Sequence, residues 1–422
     1  MSELLAIDGG TPVRTDPFPA WPHFDEDTIQ HAMQPLREGK PNYWTGPRGV
    51  EFQDKFAAFC GAKHGVAVNS GTSALHVACG ALGLGPGDEV ITPAYTFIAS
   101  AMCVIQQNAV PVFADIDADI HNISPDDVRS KITPQTKAII AVHMYGHPAD
   151  MGPIMEIAEE HNLAVIEDCA QAHCAVYKGK RVGSIGHINA FSFCQDKIFT
   201  TGGEGGFVTT DSDDLAGAAR CFKDHGFWEE ERRGLLDMEA LYLYIHHSIG
   251  FNYRMTEMQS AIGISALAQL ESWNLPRRAA NADAITGEIA GLPGVTPPVV
   301  RDGCTHAWYK YPITLNLDQL TCDRDQFVLA CRAEGYGGTA IGDWPENYLE
   351  DVFTKHGGYG PTGCPFTCPH NERVIDYSQV RCETAAEVGA RTLKLQVHPT
   401  MQTDDAKDIG RIIRKVAEAY AK

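Results

Sequence analysis

Apolar and polar positions follow two rhythms along this chain, and the switches between them mark its elements. Asp25–Glu38 and Val50–Cys60 carry helix signals, with Gly61 as the residue just past the second helix. From Gly65 to about Thr210 the two rhythms alternate. Val66–Val68, Glu89–Ile91, Val110–Phe113, Ala138–Val142 and Ala164–Ile166 read as short buried strands. Ser73–Leu82, Phe97–Gln107, Ser124–Lys131 and Asp150–His161 read as the helices between them. In the last of these Asp150 suits the N-cap, and Ile154, Ile157 and Ala158 have helical spacing. Two more strands, Ala190–Phe193 and Gly206–Thr209, flank a glycine-rich turn. Strand–helix alternation of this kind predicts a mostly parallel sheet with helices on both faces.

After a helix near Met255–Leu270, the run Trp273-Asn274-Leu275-Pro276-Arg277-Arg278 is the predicted hinge. Strand signals return at Trp308–Thr314 and Leu393–Val397. The chain ends in an amphipathic helix that Thr403 can cap, with Ile409, Ile412, Ile413, Val416 and Tyr420 on one face. The expected architecture is an extended arm over residues 1–24, a large α/β domain over 25–274 and a smaller α+β domain over 275–422. No internal repeat interrupts it.

Composition narrows the function. A chain of 422 residues can build a large core without a disulfide or metal staple. Its 13 cysteines are scattered and odd in number, which suggests free thiols in a reducing cytoplasm. The net charge of −20 argues against nucleic-acid binding, which needs clustered Lys and Arg. No apolar run approaches the ~20 residues of a membrane span, and the acidic N-terminus does not resemble a signal peptide.

Three segments carry candidate chemistry. Asn69-Ser70-Gly71-Thr72-Ser73 follows a strand and opens a helix, where backbone N–H groups and hydroxyls favour an anion; a capped βα turn is the plainer reading. Glu167-Asp168-Cys169-Ala170-Gln171 closes an apolar strand, where ligands bind in parallel sheets. Asp168 could there pair with a protonated ring nitrogen or a metal, or cap the next helix. Lys197 follows the strand Ala190–Phe193 and precedes Gly202-Gly203-Glu204-Gly205-Gly206. It is either a Schiff-base lysine or a solvated turn residue. Together, an anion-binding helix start, a strand-end Asp and a strand-end Lys are the parts that hold pyridoxal phosphate (PLP).

These motifs, with Gly250-Phe251-Asn252-Tyr253-Arg254-Met255-Thr256-Glu257, resemble the DegT/DnrJ/EryC1/StrS family of PLP-dependent sugar and cyclitol aminotransferases, over essentially the whole chain. The resemblance implies the aspartate-aminotransferase-like (type I PLP) fold, with the large domain binding PLP. It makes Lys197 the Schiff-base and catalytic lysine and Asp168 the partner of the pyridine nitrogen, with Gln171 near the ring hydroxyl. Gly71, Thr72, Ser73 and Ser192 would hold the phosphate and Phe97 would stack on the ring. Asn252 would reach the phosphate of a partner subunit, which implies a homodimer with shared active sites. The sequence departs from the family at Cys194-Gln195-Asp196, where His and a small residue are common, and at Glu204 of the glycine turn, where Asp is common.

The resemblance also implies the reaction. Glutamate or glutamine would donate the amine, pyridoxamine phosphate would be the intermediate, and a keto-sugar, nucleotide-activated, would accept it; a keto-cyclitol of the scyllo-inosose type is the alternative. A PLP-dependent sugar dehydratase and a PLP-holding sensor without turnover are further readings. Tyr43, in Asn42-Tyr43-Trp44, and His143 are candidate substrate contacts, and Arg232-Arg233 could meet an anionic substrate. Cys364, Cys368 and His370 could supply three zinc ligands, but four are usual, so this segment reads as a proline-rich loop and no metal is expected.

Overall fold

The computed structural model describes residues 4–231, 245–338, 340–341 (backbone only) and 346–422. Arg232-Arg233 lie outside the described residues.

The first half of the chain forms β1 (His64–Val68), β2 (Glu89–Pro93), β3 (Val110–Ala114), β4 (Thr136–Val142), β5 (Ala164–Asp168), β6 (Val176–Tyr177), β7 (Lys180–Arg181), β8 (Ile188–Ser192) and β9 (Gly206–Thr210). Seven of these make one sheet in the order β1-β9-β8-β5-β4-β2-β3. Strands β8, β5, β4, β2 and β3 pair in parallel, while β9 runs antiparallel to both β8 and β1. The mixed, mostly parallel sheet is therefore as expected.

Period-two alternation divides this sheet between two cores. Ala138, Ile140 and Val142 of β4 face the helices Gly71–Ala81 and Ala99–Gln106. Ile139 and Ala141 face the helices Pro125–Lys131 and Met151–His161. Farther along the second face, Phe52, Phe56, Phe191, Phe193, Phe199 and Phe207 form an aromatic cluster. Phe193 and Phe199 stack with centroids 4.6 Å apart across the base of the turn that carries Lys197. Burying such rings is worth roughly 2–3 kcal/mol each, so the turn is pinned at both ends.

Several local expectations change. Asp150 precedes the helix Met151–His161 but makes no cap; its carboxylate accepts the Tyr177 hydroxyl at 2.5 Å instead. The predicted hinge is helical. A π-turn, Leu270–Asn274, joins the helix Glu257–Gln269 to the helix Leu275–Ile289 without a break. Pro276 does not interrupt it, because it sits in the first turn of the following helix, where its missing N–H is tolerated. Thr403 is the first residue of the last helix, and the cap is the Asp405 carboxylate accepting the Gln402 N–H at 2.8 Å.

Beyond the π-turn, β10 (Val295–Thr296), β12 (Tyr311–Leu315), β13 (Ala340–Ile341) and β14 (Thr392–Leu395) form an antiparallel sheet, while β11 (Cys304–Thr305) joins β6 and β7. Tyr311, Ile313, Leu315, Leu393 and Leu395 pack a third core with the helices Leu275–Ile289, Arg324–Ala333 and Thr403–Tyr420. Tyr348, Phe353 and Tyr377 instead return to the first core, with rings against Phe113 of β3. Phe366, inside the Cys364–His370 loop, joins them. Among the described residues no helix is long and apolar enough to cross a membrane.

The N-terminal arm is tied down at one carboxylate. Buried Glu334 accepts the N–H of Ala6 at 2.7 Å and of Val13 at 3.0 Å, and pairs with Lys415 at 2.9 Å. Glu334→Ala leaves two backbone donors without their acceptor and the Lys415 ammonium, still bonded to the Thr11 carbonyl, without its anion. An expected loss of about 3–5 kcal/mol in denaturant unfolding, with early proteolysis at Arg14, checks this anchor.

Candidate active site

The C-terminal ends of the parallel strands set the site. In β5, successive carboxylates point to opposite faces. Glu167 is fully buried and accepts four hydrogen bonds, from Gly183 N–H (3.0 Å), Ile185 N–H (2.7 Å), Gly186 N–H (2.7 Å) and His143 Nε2 (3.0 Å). Burial pushes its pKa up, but His143 and the backbone donors outweigh this and hold it below the usual carboxylate range. Asp168, 4% exposed, accepts, among the described residues, only the Ser100 hydroxyl at Oδ2 (2.8 Å) and the Ala170 N–H at Oδ1 (3.1 Å). Here burial prevails, and the pKa is raised despite Ser100, Ala170, Lys197 and His143. One strand end thus carries an acid with four donors and an acid with two.

The helix Gly71–Ala81 begins beside β8. Ser70 caps it, accepting the Ser73 N–H at 3.0 Å, and the Ser73 hydroxyl donates to Asn69 Oδ1 at 2.7 Å. The first amides of this helix have no partner within the helix. Gly71 lies so close to β8 that a Cβ would stand 2.5 Å from Cβ and 2.8 Å from Oγ of Ser192. Only glycine allows this approach, which sets Ser192 beside the helix start and makes an anion cradle.

Lys197 lies in the turn after β8, partly buried, with Nζ 4.7 Å from the centroid of Tyr309. Distant side chains hold the backbone of Lys197 and Ile198. Trp21 Nε1 donates to the Lys197 carbonyl at 3.1 Å, and the buried Arg278 donates to the carbonyls of Trp308 (3.1 Å) and Ile198 (3.5 Å). Asp196 accepts the Tyr309 hydroxyl at 2.6 Å. Desolvation raises the Asp196 pKa, but Lys197, Tyr309 and Lys310 outweigh it and hold the carboxyl low.

Gln171, buried, accepts the Tyr145 N–H at 2.9 Å. Phe97, 47% exposed, stands one helical turn before Ser100. Asn252 is exposed; its neighbour Tyr253 accepts the Asn69 N–H at 2.8 Å, which puts Asn252 near the same helix start in its own chain.

Two expected substrate contacts are committed to the framework. His143 is fully buried, with Nδ1 accepting the Ala149 N–H at 2.9 Å and Nε2 bonded to Glu167, so neither nitrogen is left for a substrate. Its task is to hold Glu167. Tyr43 is buried too, its hydroxyl donating to Glu229 at 3.2 Å and accepting from Gln53 at 3.3 Å, with Lys223 Nζ 4.2 Å from its ring centroid. It anchors its loop. Among the described residues one metal-like cluster occurs, His143, Glu167 and Cys169. The hydrogen bonds just given occupy its histidine and carboxylate. Ser100, Tyr309, Trp21 and Arg278 were not expected at the site. Only Ser100 carried a signal, a hydroxyl one turn beyond Phe97 in an apolar helix.

Comparison with known proteins decides the family. The DegT/DnrJ/EryC1/StrS aminotransferase family profile matches residues 22–376. The chain belongs to this family. It is 43% identical over 280 residues to GDP-perosamine synthase of Caulobacter vibrioides, covering 66% of this chain and 72% of that one. It is 38% identical over 329 residues to L-glutamine:2-deoxy-scyllo-inosose aminotransferase of Streptomyces kanamyceticus, covering 74% and 73%. The solved aminotransferase of Psychrobacter cryohalolentis superposes with a TM-score of 0.85 at 37% identity, over 96% of this chain and all of that one. The aminotransferase family and the type I PLP fold are thereby settled.

The residues fit PLP. The Gly71–Ser192 cradle suits a phosphate, the raised Asp168 pKa suits a cationic ring nitrogen, and Lys197 lies in the turn just after β8.

Glu167 gives a pH test. Its folded pKa lies below its ordinary one. It therefore stabilises the fold fully above the ordinary value, and this contribution is lost as pH falls through the folded one. Glu167→Gln should cost about 3–5 kcal/mol and flatten the acid limb of stability against pH. An acid limb identical to wild type in denaturant titrations contradicts this.

Proposed function

We propose that this chain moves an amino group from glutamate or glutamine to a keto-sugar, nucleotide-activated, in amino-sugar biosynthesis. The observation that carries the reading is a buried, cation-seeking Asp168 beside a glycine-built anion cradle, with Lys197 in the turn after the neighbouring strand. The likeness to GDP-perosamine synthase favours the keto-sugar. The likeness to L-glutamine:2-deoxy-scyllo-inosose aminotransferase favours a keto-cyclitol as the second reading.

Bound PLP supplies a ring that takes up the electron pair left when the donor Cα–H bond breaks. The protein's part is placement and proton handling. Gly71, Thr72, Ser73 and Ser192 would hold the phosphate, and Phe97 would cover the ring. Asp168, fixed by the Ser100 hydroxyl, would keep the proton on the ring nitrogen. Gln171, fixed by Tyr145, would face the ring hydroxyl. Lys197 Nζ would carry the proton between the donor α-carbon and the cofactor.

We further infer a homodimer. Ile29, Met33 and Leu36 are exposed along one helix, Phe97 is half exposed, and Asn252 is free to reach a partner's phosphate. The thirteen free cysteines favour a cytoplasmic location. Residues 1–24, 25–274 and 275–422 are read as arm, PLP-binding unit and small unit, supported by a separate core beyond the π-turn, to which residues 304–309 and 348–388 are exceptions that pack on the large unit.

Lys197→Ala should abolish turnover and the visible absorbance of the lysine-bound cofactor. Retained transamination would exclude Lys197 as the reacting amine. Asp168→Ala should slow the half-reactions with donor and acceptor alike by at least a hundredfold, roughly 3 kcal/mol of lost electrostatic stabilisation. Single-turnover spectroscopy reads both, and a change confined to cofactor affinity would remove the ring-nitrogen role.

A further inference from the structure

The antiparallel sheet has one apolar and one polar face. Tyr311, Ile313, Leu393 and Leu395 fill the core behind it. The register pairs Tyr311 with Leu395 and Pro312 with Lys394. It therefore brings Lys310, just before β12, beside Gln396, just after β14, on the polar face. Lys310 Nζ donates to Gln396 Oε1 at 3.0 Å. That face is turned toward the active lysine, since the Nζ atoms of Lys197 and Lys310 both stand 4.7 Å from the centroid of the Tyr309 ring.

Lys310 is an unusual cation for this position. It is 5% exposed, and among the described residues it donates to the neutral amide of Gln396. The Asp196 carboxylate makes a long ion pair with it at 3.8 Å and also accepts the Tyr309 hydroxyl. A buried ammonium with spare hydrogens, held only by a long ion pair that shares its carboxylate with a tyrosine, is costly to maintain. Burial pushes its pKa down to about 8, with Arg278 and Lys197 lowering it further and Asp196 opposing. The neighbouring Lys394 is pushed down to about 8 by burial and by Lys310 and Lys197. Arg278 is committed, with Nε on Asn274 Oδ1 (2.7 Å) and its other nitrogens on backbone carbonyls. Every amino-acid donor brings one anion to the lysine that handles its nitrogen, its α-carboxylate.

We propose that Lys310, steadied by Gln396, is a binding residue for the α-carboxylate of the amino donor. The proposal rests on the aminotransferase reading above. The holoenzyme and its Lys310→Gln and Lys310→Arg variants are mixed with glutamate or glutamine alone, and loss of the visible cofactor band is followed. Lys310→Gln should raise the half-saturating concentration of both donors about 10- to 30-fold, the worth of one charge-assisted hydrogen bond. Lys310→Arg should recover part of the loss. Equilibrium binding of α-methylglutamate, which has no α-proton to lose, should weaken by the same factor without any turnover.

Unchanged donor saturation in Lys310→Gln overturns the proposal. So does a loss confined to glutamate, which would assign Lys310 to the side-chain carboxylate. So does weakened binding of GDP or dTDP with donor saturation intact, which would assign it to a nucleotide diphosphate. If the Lys310 variants do not fold, Gln396→Leu should weaken both donors about threefold, and no change there overturns it equally. Failure of wild type to respond to either donor would instead sink the aminotransferase reading.

Discussion

Everything at this site depends on two adjacent carboxylates that cannot share one environment. They end the same strand, so the pleat sends Glu167 and Asp168 to opposite faces. Glu167 receives three backbone N–H groups and a histidine, which makes it a structural anion. Asp168 receives one hydroxyl and one amide, and burial dominates its ionisation. The first acid knits β5 to the loop before β8. The second is left short of positive charge at the place where the sheet opens.

Lys197 is fixed by a different means. Its turn is held at the base by the Phe193–Phe199 stack and at the backbone by Trp21 and Arg278, which come from the N-terminal arm and from the helix after the π-turn. Parts of the chain far apart in sequence thus meet within two residues of Lys197. An uninterrupted helical connection through Leu270–Asn274 suits this arrangement better than a flexible hinge, because Asn274 itself donates to the Ile198 carbonyl at 2.7 Å.

Net charge hides the local electrostatics. The chain carries −20 overall, yet Lys197, Lys310, Lys394 and Arg278 gather around Tyr309 and Asp196. Burial weakens the hold of the last three on their protons, with Arg278 falling to about 9.

The sequence by itself determined the parallel sheet, because period-two runs and helical stretches alternate without ambiguity from Gly65 to Thr210. It also marked Gly71, Asp168 and Lys197, because each stands at a strand end or helix start, where local order already implies position. It did not determine what His143 and Tyr43 do. Both sit in segments next to the chemistry, and only their burial and saturated hydrogen bonds show that they serve the framework. Nor could it find Tyr309, Lys310, Trp21 or Arg278. Their meeting with Lys197 depends on how the second sheet, the helix after the π-turn and the arm pack against the first sheet, and contacts across eighty residues or more leave no periodic trace in the chain.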